Sequence, residues 1–345
     1  MNMKLMGMLL AAAGMVGPAE AGVKNINGAG ATFPYPVYAK WAAAYKTETG
    51  IKINYQSIGS GGGIKQIKAG TVDFGASDAP LQTEELDKAE LMQFPMIMGG
   101  VVPVVNVPGI PIGKLRLSNA LLADIYLGKI KKWDDARIRS ENPSLKLPKK
   151  RIYVVHRSDG SGTTWIFTNF LTKVSPEWKR KVGNGKSVAW PAGMGGKGNE
   201  GVASYVSRLK GAIGYVEYAY ALQNRLNYVL LKNRDGAYVA PSKASFSAAA
   251  SNADWKNSRG FYVVLTDQPG KDSWPITGAS FILLRKTQKN PERAKAVLKF
   301  FDWAYSNGSA MADELHYVAV PASVAEIVRG KWKKTISDSG GNSIL

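Results

Sequence analysis

Two hydrophobic periods take turns along this chain. Ile51, Ile53 and Tyr55 alternate with polar residues, as in a half-buried strand, whereas Trp41, Ala44 and Tyr45 recur at helical spacing within Pro36–Thr49. Farther on, Arg151–Val155, Ala212–Tyr218, Phe261–Asp267 and Phe281–Lys286 read as strands. Thr163–Thr172, Val202–Leu209, Pro291–Tyr305 and Ala322–Lys333 read as amphipathic helices, with Pro291 at a favoured first-turn position. Strands alternating with helices of this length predict an α/β fold with largely parallel sheets. No internal repeat or low-complexity segment interrupts the pattern. The uncharged stretch Phe94–Pro108, containing Gly99-Gly100, Pro95 and Pro103, is a candidate crossing between domains, and Trp274–Leu284 is a second.

The chain starts differently. Lys4 precedes an apolar run from Leu5 to Val16, and Ala19-Glu20-Ala21 puts small residues where a signal peptidase reads them. The run is too short for a stable membrane span. Residues 1–21 are therefore expected to be a signal peptide cleaved after Ala21, leaving an exported chain of 324 residues, enough for two domains. Cysteine is absent, which excludes disulfides, a thiolate nucleophile, a Cys metal site and a lipid-attachment cysteine, and favours a free periplasmic protein. The two histidines, His156 and His316, lie far apart, so no metal site is expected. The net charge of +19 survives cleavage, because Lys4 and Glu20 leave together, and it suggests an anionic partner of some kind.

Three segments share one design, a turn of small residues followed by a helix start: Gly28–Pro34, Ile58–Gly63 and Asp159–Thr164. Each offers Ser or Thr hydroxyls and free backbone N–H groups at a helix N-terminus, where partial positive charge attracts an anion and glycine permits close approach. Ordinary N-capping by Thr32, Ser60 and Ser161 is the plainer reading of any one of them; three in one chain shift the balance toward an anion cradle, although the sequence alone does not show that they converge. Arg157, at the end of a strand, can give two parallel hydrogen bonds to an oxyanion, with Asp159 placed to hold it. Asp78 closes Val72–Asp78 where a strand meets a loop, the position of many helix-capping aspartates.

Other signals are weaker. Gly196–Gly201 matches the dinucleotide-binding glycine pattern but follows a loop containing Trp190 and Pro191. Gly185-Lys186-Ser187 resembles the end of a P-loop, yet Arg180 stands where that motif needs glycine. No Gly-x-Ser-x-Gly elbow is present, and His156 reads as structural rather than as a base for Ser161. The basic runs Lys129–Lys132, Lys149–Arg151, Lys179–Lys181 and Lys331–Lys334 are scattered along the chain without interleaved aromatics, unlike a nucleic-acid platform. Two alternatives nevertheless stand beside an anion receptor: a phosphoester hydrolase and a polyanion or nucleic-acid binder.

Taken together, seven ordered blocks resemble the periplasmic phosphate-binding proteins of high-affinity bacterial phosphate ABC transporters. They are GAGATFPYPVYAKW at Gly28–Trp41, IGSGGGIKQI at Ile58–Ile67, VDFGASDAP at Val72–Pro80, IYLGKIKKWDD at Ile125–Asp135, RSDGSGTTWIFTNF at Arg157–Phe170, GGKGNEGVASYV at Gly195–Val206 and GAIGYVEYAYA at Gly211–Ala221. The resemblance implies a type II two-domain periplasmic binding protein, each domain a mixed, mostly parallel sheet flanked by helices, joined by two hinge strands. The expected division is 22–98 plus 272–345 for the first domain and 99–271 for the second, with the ligand cleft between them. It also implies a phosphate site made of Thr32, the backbone of Phe33, Ser60 and Asp78 on one side and Arg157, Ser161, Gly162 and Thr163 on the other, with Asp159 orienting Arg157. Gly61 departs from relatives that often carry serine there. The implied protein is no enzyme and needs no cofactor or metal. It is a monomer that hands inorganic phosphate to inner-membrane permease subunits and their cytoplasmic ATPase. Asp78 would select for phosphate, because only an anion that brings a proton satisfies a buried carboxylate beside it.

Overall fold

A computed structural model describes residues 22–345; the expected signal peptide, residues 1–21, lies outside the described residues. The strand Leu91–Val105, buried at every position, organises the molecule. Leu91–Gly100 pairs antiparallel with the strand Thr277–Arg285, and Val101–Val105 pairs antiparallel with Ala212–Glu217. One long strand thus runs out of one lobe and into the other. Beside it passes the second crossing, where Val101 donates its N–H to Ile276 O at 2.8 Å and Trp274 Nε1 donates to Val101 O at 3.0 Å. Both crossings expected from the uncharged stretches are present.

In the first lobe Asn25–Gly30 lies parallel to and between Lys52–Ser57 and Phe74–Ser77, which pairs in turn with Thr277–Arg285. In the second lobe Tyr153–Arg157 lies parallel to Met194–Gly196 and Ala212–Glu217. Helices cover the sheets because their apolar residues fall on one stripe: Val37, Tyr38, Trp41 and Tyr45 on Tyr35–Thr49, and Ala294, Val297, Leu298 and Phe301 on Pro291–Asn307. Local chemistry sets their ends. Asn290 caps Pro291–Asn307 by accepting the Arg293 N–H, and Gly50, at φ 75°, stops Tyr35–Thr49 in a left-handed turn.

The predicted helices and three of the four later strands form within a few residues of the expected limits. Phe261–Asp267 does not form a strand. Phe261 closes a short 3-10 turn, and only Thr266 makes an isolated bridge, to Ile276. Its apolar run is consumed instead by packing, with Phe261 and Leu265 buried in the core. The reading of the basic runs as scattered also needs correction. Lys132 pairs with Arg151, Ile152 N–H donates to Lys131 O, and Glu177 joins Lys129 to Lys181. Three of the four runs therefore share one face of the second lobe. No helix among the described residues is long and apolar enough to cross a membrane.

Candidate functional site

Parallel strands align their carboxyl ends, and that is where an open α/β sheet meets its ligands. In the first lobe Gly30 lies opposite Ser57 and Ala76, so the turns after three strands emerge together. These turns carry Thr32 and Phe33, Gly59 and Ser60, and Asp78. In the second lobe Arg157 ends its strand opposite Gly196, and each strand turns into a helix, Gly162–Val174 and Gly198–Arg208. The carboxyl ends of the two lobes face each other.

Contacts across this cleft are direct. Gly162 N–H donates to Ser60 Oγ at 3.1 Å, and Gly61 N–H donates to Gly160 O at 2.7 Å. Asn199 donates to Thr32 Oγ from its backbone at 3.2 Å and from Nδ2 at 2.7 Å. Tyr220 OH donates to Thr32 O at 2.7 Å. Such an approach leaves no room for a Cβ at two glycines. On Gly162 it would meet Ser60 Oγ at 2.4 Å, and on Gly59, at φ +88°, it would meet Asp159 Oδ2 at 2.3 Å. At Gly61 a Cβ would crowd the Gly160 backbone, 3.1 Å from its Cα, so the residue that departs from the related pattern sits where the lack of a side chain eases the contact.

The structure brings together the residues singled out in the sequence. Thr32, Ser60, Asp78, Arg157, Ser161 and Thr163 are all buried, as is Phe33. Capping, the plain alternative, holds only for Ser161, whose Oγ accepts the Thr164 N–H at 2.9 Å. The N-cap positions of the other two helices are Pro34 and Gly59, and neither makes a side-chain cap. Thr32 and Ser60 are thus free for other work. Asp78 caps nothing either. Its Oδ2 lies 3.5 Å from Ser60 Oγ, and its Oδ1 is buried with no hydrogen-bond partner. Ser60 Oγ already accepts N–H groups from Asp78 and Gly162, both at 3.1 Å, so its proton is left to point at Asp78 or into the site.

Burial pushes the Asp78 carboxyl up to about 7, against the neighbouring Ser280 hydroxyl, the Arg157 guanidinium and Ser60. Arg157 is held as a fork: Nε donates to Asp159 Oδ1 at 2.8 Å and Nη2 to Oδ2 at 2.5 Å, while Nη1 donates to Thr163 Oγ at 3.3 Å. A guanidinium has five N–H donors, so two stay free for a ligand. Burial acts to raise the Asp159 carboxyl, but Arg157 and the Gly198 N–H together hold it below the usual carboxylate range. The arrangement can surround a tetrahedral anion with donors from both lobes while offering one acceptor, Asp78, to a proton on that anion. His156 takes no part. It stacks on Trp190 with centroids 4.7 Å apart, and its Nδ1 pairs with Arg157 O at 3.0 Å. Among the described residues no cluster of His, Asp or Glu is arranged to hold a metal.

Sequence reasoning missed a fourth helix start. Gly196–Gly201 is preceded by the strand Met194–Gly196, not by a loop, and its helix delivers Gly198 and Asn199 to the site. Gly198 N–H donates to Asp159 Oδ1 at 3.0 Å. The glycine pattern was visible; what was not visible is that this turn meets an oxyanion-type site rather than a dinucleotide. Glu217 was also missed. It is fully buried at the crossing, its Oε2 accepting from Tyr317 OH at 2.7 Å and from Ala219 N–H at 2.9 Å, and burial raises its carboxyl well above the ordinary range.

Comparison with known proteins places the chain in a family. The PBP superfamily domain matches residues 16–308. The phosphate-binding protein PstS of Haemophilus influenzae is 59% identical over 313 residues, covering 91% of this chain and 94% of its own. That of Pasteurella multocida is 57% identical over 321 residues, covering 93% of each. Among solved structures, the high-affinity periplasmic phosphate-binding protein PfluDING, bound with phosphate, superposes with a TM-score of 0.71 at 20% identity, over 93% of this chain and 97% of that one. The phosphate-binding protein of Stenotrophomonas maltophilia gives 0.66 at 20% identity, over 89% and 94%. At that identity the two structures speak for the fold alone, the two-domain periplasmic binding protein. The sequence relatives, matched at more than half of their positions over nearly their full length, go further: this chain belongs to the family of the phosphate-binding proteins PstS, within the PBP superfamily.

Proposed function

We propose that this protein captures free inorganic phosphate in the periplasm and delivers it to an ABC-type permease in the inner membrane. It works as a receptor without catalysing a reaction. Its partners are the phosphate ion and the permease subunits with their cytoplasmic ATPase, and it acts as a monomer exported by cleavage after Ala21. The two domains are 22–98 plus 272–345 and 99–271. They close on the ion through Thr32, the Phe33 backbone, Ser60 and Asp78 from one and Arg157, Ser161, Gly162 and Thr163 from the other, with Asp159 orienting Arg157.

One observation carries this reading: the buried, unpartnered Asp78 Oδ1 in a site otherwise built of donors. A carboxylate there repels an anion unless the anion supplies a hydrogen to share. Monohydrogen and dihydrogen phosphate supply one, and sulfate at neutral pH does not. Calorimetric titration of the mature chain tests it. Phosphate should bind at one site per chain, and sulfate should give no heat at the same concentrations. Equal heats from both anions would sink the proposal.

The charge distribution supports capture. Residues 99–271 hold 27 of the 45 basic residues and only 11 of the 26 acidic ones. A domain with a large basic excess raises the encounter rate of an anion, and salt screens it beyond about 10 Å at 0.1 M. In stopped-flow measurements the association rate should fall several-fold between low and high salt, with the dissociation rate nearly constant. The reverse partition would assign the excess charge to something other than steering.

A further inference from the structure

We propose that Asn199 is a positioning residue that converts the hydroxyls of Thr32 and Thr163 into obligatory hydrogen-bond donors toward the bound anion, an inference that rests on the phosphate reading above. Asn199 is fully buried at the start of Gly198–Arg208. Its amide orientation follows from its neighbours. The Glu217 backbone N–H is a donor and nothing else, and it lies 3.0 Å from the Asn199 side-chain oxygen. That contact fixes Oδ1 toward Glu217 and turns the two Nδ2 hydrogens the other way.

Those two hydrogens have two destinations, one in each domain. Nδ2 lies 2.7 Å from Thr32 Oγ and 3.2 Å from Thr163 Oγ. Each hydroxyl then receives a second hydrogen: Thr32 Oγ from the Asn199 backbone N–H at 3.2 Å, and Thr163 Oγ from Arg157 Nη1 at 3.3 Å. A hydroxyl oxygen accepts at two lone pairs and donates one hydrogen. With both lone pairs of both threonines engaged, neither can accept a hydrogen bond from the ligand. Their single hydrogens are all they have left to offer. Asn199 thus sets the direction of two ligand contacts as the domains close, and it leaves Asp78 as the acceptor for the ligand proton. The arrangement also spans the cleft, because one amide group touches a threonine from each side.

A double-mutant cycle read by calorimetric titration with inorganic phosphate distinguishes this role from simple packing. In the native background Asn199→Ala should weaken phosphate binding by about tenfold to a hundredfold, the range expected when hydrogen-bonded groups of a charged ligand lose their orientation. In a chain carrying Thr32→Val and Thr163→Val, which keeps the shape and removes both hydroxyls, the same substitution should cost less than about threefold, since it acts through groups no longer there. Equal losses in the two backgrounds, or no loss in the first, would overturn the proposal. Should Asn199→Ala fail to fold, as judged by its melting curve, Asn199→Asp is the second variant. It keeps the shape but offers an acceptor to both threonines and draws their hydrogens away from the ligand. Its penalty should exceed its penalty in the valine background by at least about tenfold, and equal penalties would again overturn the idea. A native chain that binds no phosphate defeats the functional reading itself, an outcome separate from either of these.

Discussion

Replacing Arg157 by leucine is expected to lower phosphate affinity by a factor of about thirty to several thousand, the range for truncating one partner of a buried, hydrogen-bonded charge pair, roughly 2–5 kcal/mol. Two losses combine. The ligand loses the free N–H groups of a guanidinium that is almost completely buried, its side chain only 1% exposed. Asp159, which Arg157 now holds in a bidentate pair, becomes an uncompensated carboxylate beside the anion. Titration calorimetry would measure the first effect, and the melting temperature without phosphate would report the second. Arg157→Lys separates them, because it keeps the charge but cannot reproduce the fork. Its affinity should fall between those of the leucine variant and the parent. If Arg157→Leu bound phosphate within about threefold of the parent, the guanidinium would be a structural clamp for Asp159 and not a ligand.

Asp78→Asn should change selectivity more than affinity. An amide in place of the carboxylate removes the repulsion toward a fully ionised anion and adds a donor, so sulfate should begin to bind. The preference for phosphate over sulfate should shrink by about a hundredfold or more, as it does where a site loses the group that pairs with a distinguishing hydrogen. The same substitution has a signature without ligand. The Asp78 carboxyl titrates near 7 in the folded chain and at its ordinary value of 3.8 when unfolded. A carboxyl raised on folding stabilises the native state fully below the unfolded value, and that contribution is lost as pH rises through the folded one. Melting of the ligand-free chain should therefore show stability declining from about pH 4 to about pH 7, beyond any decline in Asp78→Asn. The variant should be the more stable of the two above pH 7. Identical pH profiles would mean that Asp78 is not held in so dry a place.

Much of this protein could be read in order along the chain. The helix Pro291–Asn307 follows from Asn290, Pro291 and a single apolar stripe, all local. The strand Lys52–Ser57 follows from strict alternation. Where an apolar run carried no such periodicity, at Phe261–Asp267, the reading failed, because burial alone does not tell a strand from a packed turn. The candidate ligands were legible for a similar reason. A strand end, a small-residue turn and a helix start are written within a few consecutive residues, as in Asp159–Thr164, and each is a usable anion cradle by itself.

By itself, then, the sequence determined the alternation of strands and helices, the turns able to hold an anion, the basic balance and the family likeness, since each is encoded in neighbouring residues or in their order. Only the tertiary structure decided which plain alternatives survive: that Thr32 and Ser60 cap nothing, that Asp78 keeps one oxygen unpaired, that three basic runs share a face, and that Asn199 reaches a threonine on each side of the cleft. The physical reason is distance along the chain. Asn199 stands 167 residues from Thr32, and Gly162 stands 102 from Ser60. Whether such groups meet depends on how two sheets joined by one long strand bring their carboxyl ends together, which no local pattern records.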